Sequence, residues 1–405
     1  MQSKSRWMTL CLAAACLCLS PFASSQSWDD LKDSLKDHPS IQELDFRADA
    51  NRELSVAAQS LPDPVFSLGI NNFPIADRSF SEYLPTNKAI TVRQEIPNGA
   101  RREASGRERS ARATQLEMVR DARLAQLEGE LAALLYSKDR IARQMELANI
   151  RAEKYDELLD VVTSEIDAGR AIVFRLAEIE AESAEVARTI VELLREEREI
   201  NAELMDLVGY IPATPSPQID LANRSPEATE FHAVRIASAG IDVANHAVKG
   251  AEAAWGPNWG LQLSYQQRES GATFDGDDWV SAGVTFSVPL WAARSQKPRL
   301  RAAQAERSSA EMNHRAVKRN TQARFESEKA VLQAANESIE VLRRKILAVE
   351  DEIESQLSLY ESGSGDYAPI IYGQLAVLKL QAEIAIEESR AATAIARLNA
   401  MVVQP

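Results

Sequence analysis

Cysteine is almost absent from this chain. Its three cysteines, Cys11, Cys16 and Cys18, all fall within the first 25 of 405 residues. There Lys4 and Arg6 precede an apolar run from Trp7 to Leu19 and a small-residue segment, Pro21-Phe22-Ala23-Ser24-Ser25. That is the layout of a secretory signal with cleavage near Ser25. Past it no thiol remains, which excludes a disulfide framework, a thiolate metal site and a cysteine nucleophile. Cleavage before Cys16, with acylation of that residue, is the alternative, because Ala13-Ala14-Ala15 precede it.

Positive charge is outweighed by negative, with 46 Lys and Arg against 60 Asp and Glu. Removing the two cations of the signal takes the formal net charge from -14 to -16, which argues against a nucleic-acid partner. Long apolar runs are also missing: no later segment reaches the roughly 18 consecutive apolar residues of a spanning helix. An exported chain of this kind can enter a membrane only through strands. In hydrocarbon only helices and closed barrels satisfy their backbone hydrogen bonds, so the membrane would be a bacterial outer membrane. The four histidines, His38, His232, His246 and His314, have no metal-ligand spacing, and the seven methionines, two of them in the signal, form no thioether cluster. There is no nucleophile elbow, glycine-rich phosphate loop or His-Glu-x-x-His, and the many glutamate pairs have the spacing of solvated helix faces. The expectation is therefore no enzyme, no cofactor and no resident metal.

What is present is alternation. Phe66, Leu68 and Ile70 alternate with Ser67, Gly69 and Asn71, and Ile90 and Val92 with Thr91 and Arg93. Trp259, Leu261, Leu263 and Tyr265 alternate with Gly260, Gln262, Ser264 and Gln266; Val280, Ala282, Val284, Phe286 and Val288 alternate with Ser281, Gly283, Thr285 and Ser287. Period-two runs of roughly 8 to 11 residues suit a membrane barrel, although a soluble sandwich would produce the same pattern.

Each strand pair ends at a proline and runs into a long tract poor in Gly and Pro. Pro97 and Pro289 are 192 residues apart, Gly169 and Gly363 are 194 apart, and Leu204, Leu207 and Val208 recur 194 residues later as Leu398, Met401 and Val402. The chain reads as a tandem duplication of helix, strand pair, long helix, tight turn and return helix. The first unit would run over 26-208, with a helix over 40-61, strands over 64-73 and 88-97, a long helix over 98-167, a tip over 168-172 and a return helix over 173-208. A linker over 209-225 would follow. The second unit, 226-405, would have a helix over 226-254, strands over 257-267 and 279-289, a long helix over 292-361, a tip over 362-369 and a return helix over 370-402.

From Pro97 to Gly169 is 72 residues and from Pro289 to Gly363 is 74, rich in Ala, Glu, Arg, Leu and Gln. Such composition is helical, and each tract would reach roughly 100 Å. The return from Gly169 to Val208 covers only 39 residues, so the segment 40-60 is expected to stack end to end upon it. Apolar stripes at Leu124, Leu127, Leu131, Leu134 and Leu135, and at Leu176, Ile179, Ser183, Val186 and Ile190, have coiled-coil spacing. A monomeric antiparallel coiled coil is the bland reading. Four strands cannot close a barrel, however, since about eight is the minimum. Closure requires several subunits, and three would supply twelve strands.

At this point the residues resemble a known family. Leu61-Pro62-Asp63-Pro64, the joints Gln94-Glu95-Ile96-Pro97-Asn98-Gly99 and Ser287-Val288-Pro289-Leu290, and the turns Ala168-Gly169-Arg170 and Tyr360-Glu361-Ser362-Gly363-Ser364-Gly365-Asp366-Tyr367 occur in the order found in TolC-like outer membrane factors. The resemblance runs from His38-Pro39 to Val402. It implies a mainly helical chain with a membrane β-barrel, assembled as a homotrimer with a twelve-stranded barrel in outer membrane lipid and an α-helical tunnel in the periplasm. The tips would dock onto a periplasmic adaptor (membrane fusion) protein, coupled to an inner-membrane pump of the RND type. Leu-Pro-Asp-Pro and the Gln-Glu-Ile-Pro-Asn-Gly joint look most like the heavy-metal (CzcC-like) branch, although Gly99-Ala100-Arg101 departs from the family's Gly-Lys. A drug-efflux or type I secretion channel remains an alternative, as does a soluble periplasmic coiled-coil scaffold.

The resemblance also implies site residues. Gly169, Arg170, Gly363, Gly365 and Asp366 would form the adaptor-docking tips, although turns without a partner would look the same. Glu165, Asp167, Tyr360, Glu361 and Asp366 would line the aperture or gate, where repeated carboxylates favour cations; as isolated charges they read equally well as solvated helix ends. Pro97, Gly99 and Pro289 mark the strand-to-helix joints. The basic residues from Arg101 to Arg112 and at Arg294, Lys297, Arg299, Arg301 and Arg307 would line the neck or form a solvated helix face.

Overall fold

The computed structural model describes residues 27-169, 174-223 and 225-404. The signal segment, with Cys16, and Arg170 lie outside the described residues.

Two kinds of element build the molecule. Helices α1 (Trp28–Leu35), α2 (Pro39–Gln59), α3 (Gly99–Asp167), α4 (Phe174–Val208), α5 (His232–Ala253), α6 (Gln296–Glu361) and α7 (Ala368–Met401) form a long wall. Strands β1 (Val65–Asn71), β2 (Asn87–Ile96), β3 (Trp259–Gln267) and β4 (Trp279–Phe286) form one antiparallel sheet in the order β1-β2-β3-β4. Among the described residues the sheet is single, with no second layer as in a sandwich, and β1 and β4 each leave one edge unpaired.

In the wall, α3 is flanked on one side by α2 and α4 and on the other by α5 and α7, and α6 packs on α5 and α7. The short helices share the length of the long ones. α4 runs along the far part of α3 through Ile179, Val186 and Leu193, which are buried at heptad spacing. α2 lies along the strand-proximal part, where the Ser55 hydroxyl donates to the Gly106 carbonyl at 2.7 Å and Arg120 meets Asp45. The two meet end to end where Ile41 and Leu204 bury against Leu127, Leu131 and Leu135. α5 and α7 meet in the same way at Phe231, Val234, Phe325, Leu398 and Val402, with the Phe231 and Phe325 rings edge to face at 5.5 Å. Gly129 lets α3 approach α7 closely, since a Cβ there would lie 3.1 Å from the Ala400 Cβ and 3.3 Å from the Ala396 carbonyl oxygen.

Between α4 and α5 the chain is strapped to the wall. The Tyr136 hydroxyl donates to the Pro217 carbonyl at 2.7 Å, and the Asn399 side-chain Nδ2 donates to the Asp220 carbonyl at 2.8 Å. Among the described residues no helix is long and apolar enough to cross a membrane.

The structure departs from the sequence expectation at three places. α1 is an additional helix, capped where the Asp30 amide donates to the Ser27 side chain and the Ser27 amide to Asp30; it buries Leu31 and Leu35 against the α2/α4 junction. The helix expected over 226-254 is a 3-10 turn, Ala228–Glu230, followed by α5. β4 ends at Phe286 and α6 starts at Gln296, so Pro289 lies within a turn of 287-295 and does not join strand to helix directly.

Candidate functional site

Strand β3 inverts the usual relation between polarity and burial, and β1 and β4 are exposed on both faces. Register places Phe66, Val92, Leu263 and Ala282 in one row, and Leu68, Ile90, Tyr265 and Val280 in the next. Gln94, Leu261 and Val284 form a third row, and Ile96, Trp259 and Phe286 a fourth, so these side chains share one face. Leu68 is 81% exposed, Val280 70% and Leu263 54%. The opposite face carries Ser67, Thr91, Gly260, Gln262, Ser264, Ser281 and Thr285. On β3 it is the polar face that is covered: Gly260 and Ser264 are buried, whereas Trp259, Leu261, Leu263 and Tyr265 are exposed. Polar side chains bond across strands there, Thr91 with Ser264 at 2.9 Å and Arg93 to Gln262 at 3.0 Å.

At the end away from the helices the two hairpins are stapled together. Arg268, almost wholly buried, stacks over Trp279 at 3.7 Å and donates to the Asp277 and Leu84 carbonyls, while Lys88 pairs with Glu269 at 2.8 Å.

The helix-proximal joints are built differently. After Pro97, the Asn98 side chain accepts from the Arg101 amide and caps α3 at once, with Gly99 as the first helical residue. The Asn98 amide donates to the Asn258 side chain, and the Asn258 amide to the Ser287 hydroxyl, both at 2.9 Å, which ties the first joint to the second. Pro289 is followed by Leu290 and Trp291 instead, neither of which can cap; turns continue to Ser295, whose side chain makes no cap bond either.

At the far end the two long helices close with glycines in the left-handed region, Gly169 at φ 71° and Gly363 at φ 72°. The Ser364 amide donates to the Leu359 carbonyl and the Gly363 amide to Tyr360, the paired bonds of a Schellman turn. Gly365 packs tightly on Leu359 and Tyr360, while Glu361 and Asp366 are exposed. In the first hairpin Asp167 is exposed and Glu165 half-buried. Tyr360 is 46% exposed and packs on Tyr367 at 5.2 Å. The Tyr367 hydroxyl donates to Glu157 of α3 at 3.0 Å, which joins the second tip to the first hairpin. A bond from Lys154 holds the Glu157 carboxyl below its usual range, and the bond to Glu157 pushes the Tyr367 phenol up. Sequence reasoning missed Tyr367 and Glu157, which only the lateral packing of α7 on α3 brings together. Among the described residues no group of three or more His, Asp or Glu side chains could hold a metal ion.

Comparison with known proteins agrees with this geometry. Residues 229-402 match the family model described as outer membrane efflux protein. No curated protein matches the chain in sequence. A membrane protein from Pseudomonas aeruginosa superposes with a TM-score of 0.76 at 16% identity, covering 93% of this chain and 90% of that one. The outer membrane protein VceC from Vibrio cholerae gives 0.75 at 15% identity, with 93% and 96% covered. The open state of the MtrE outer membrane channel from Neisseria gonorrhoeae gives 0.73 at 14% identity, with 93% and 88% covered. Most of the second half thus matches the outer membrane efflux protein family, and the described chain as a whole has the fold of the TolC-like outer-membrane channels.

Proposed function

We propose that this chain is one subunit of a passive export duct: a homotrimer whose three sheets close a twelve-stranded barrel in the outer membrane above an α-helical tunnel in the periplasm. The observation that carries the reading is the single sheet with its apolar face bare, its polar side chains covered on β3, and an open edge on each side. Unpaired edges in hydrocarbon would each leave a row of backbone groups without partners, so β4 of one copy must pair with β1 of the next. The wall has matching open flanks, with Phe46 and Val191 exposed on α2 and α4 and Val341 and Leu347 on α6. The tandem-repeat reading supports the same closure, because each half supplies one strand pair and one long helix.

In this reading the glycine turns at Gly169 and Gly363, with Gly365 and Asp366, meet a periplasmic adaptor that connects to an inner-membrane RND pump. Glu165, Asp167, Tyr360, Glu361 and Asp366 ring the aperture. The cargo proposed is heavy-metal cations, on the resemblance of the Leu-Pro-Asp-Pro and Gln-Glu-Ile-Pro-Asn-Gly segments to that branch; selectivity would reside in the pump, with this chain as conduit. Purified protein in detergent is expected to have the mass of a trimer and to give discrete conductance steps in planar bilayers; a monomer with no conductance overturns the reading. Deletion of the gene is expected to sensitise the host to heavy-metal salts, and sensitisation to drugs alone would overturn the cargo.

A further inference from the structure

The turn between β4 and α6 carries an exposed apolar cluster. Val288 is 56% exposed and Leu290 and Trp291 are each 77% exposed, side by side, at the helix-proximal rim of the sheet. They continue the bare apolar face formed by Val284 and Phe286. Immediately beyond them come Arg294, Lys297, Arg299 and Arg301, whereas no carboxylate occurs between Asp278 and Glu306. In a chain of net charge -14 such a stretch is an exception. None of these four side chains forms a hydrogen bond or ion pair among the described residues, although arginines elsewhere on the wall, such as Arg107 and Arg188, are paired. Lys297 and Arg301 lie one turn apart on α6, and Arg294 precedes them.

We propose that residues 287-295 form a leaflet anchor: Leu290 and Trp291 enter the acyl boundary of the membrane leaflet that faces the helices, and Arg294, Lys297 and Arg301 bind the phosphates of anionic phospholipids. This rests on the barrel reading above. Aromatic and aliphatic side chains with an apolar body partition to that boundary, and cations just outside it draw anionic headgroups, each by about fivefold in local affinity. A neighbouring copy is the weaker candidate for the same surface. The matching level of the opposite edge, Ser60 to Val65, offers a single carboxylate, Asp63, against these cations. The first joint carries no such anchor, because Asn98 caps α3 directly and Arg102 is spent on the Gln59 carbonyl at 2.7 Å.

The test uses the full protein in vesicles of phosphatidylcholine with or without phosphatidylglycerol, the quencher being brominated acyl chains on either lipid. Intrinsic fluorescence is compared among wild type, Trp291→Phe and Trp259→Phe. The expected result is that brominated chains quench a component lost in Trp291→Phe, and that brominated phosphatidylglycerol quenches it several-fold better than brominated phosphatidylcholine. The triple change Arg294→Gln, Lys297→Gln and Arg301→Gln should abolish that preference and leave the quenching by phosphatidylcholine. If the Trp259 component is quenched and the Trp291 component is not, the anchor is overturned while the barrel stands, and the loop is covered by a neighbouring copy. If neither component is quenched, the barrel reading itself fails. If Trp291 is quenched equally by both lipids, the phosphate half of the proposal is overturned.

Discussion

The helical wall and the sheet use the same apolar residue types in opposite ways. In the wall Leu127, Leu131 and Leu204 are fully buried and charged side chains lie outside; in the sheet Leu68, Leu263 and Val280 are bare, and Gly260 and Ser264 are covered. Hydrophobic burial near 25 cal/mol per Å2 explains the first arrangement and makes the second untenable in water. On the proposed barrel reading, one chain is folded against two solvents. The boundary runs through Asn98, Asn258 and Ser287, where hydrogen bonds lock strand ends to helix starts.

Two substitutions should break this contrast from either side. Leu131→Ala removes a side chain buried where α1, α2 and α4 converge on α3. It should cost about 2 to 5 kcal/mol, seen as a lower midpoint in chemical unfolding of the helical signal. Leu263→Arg places a cation on the bare face and should cost about 2 to 4 kcal/mol if that face meets lipid. Gln262→Arg, one residue away on the covered face, should leave assembly in vesicles intact. Equal tolerance of both changes in β3 would mean that the two faces meet the same solvent.

The contrast was largely legible in the sequence, because a period of two across Trp259 to Gln266 and a period near 3.5 in the Leu124 to Leu135 stripe belong to different elements. Gly169 and Gly363 could be read as turns, since a tract otherwise free of breakers has to reverse there. α1 also has a local signal, since Ser27 and Asp30 have the spacing of a capping box, but eight residues are too few for a helical period to stand out. The second joint is built differently from the first. Val288-Pro289 looks like Ile96-Pro97, but what starts a helix is the capping residue that follows, and Asn98 has no counterpart before Ser295. The Tyr367 to Glu157 bond depends on which helices are neighbours, a fact that no local pattern encodes.

The tips belong to the wall but are exposed, so substitutions there should separate turn geometry from burial. Gly363 sits at φ 72° with nothing within 4 Å of an added Cβ. Gly363→Ala should therefore cost only the left-handed backbone penalty, about 1 kcal/mol. Thermal unfolding that falls by much more than a few degrees would show that the tip is packed and not free.

The smallest expected effect tests whether protons distinguish the two regions. All four histidines lie outside the strands. His232, the first residue of α5, is partly buried beside the α5/α7 junction, and burial pushes its pKa down, with Arg235 adding to the shift and Asp121 opposing it. A group with a depressed folded pKa binds its proton more readily when unfolded. Its contribution is therefore complete above the ordinary value near 6.5 and is lost as pH falls through the lower folded value. The wall should lose a little stability over the interval just below pH 6.5, whereas the strand hydrogen bonds should not respond. His232→Gln should flatten the pH profile of helical unfolding over that interval, and an unchanged slope would assign the effect to carboxylates instead.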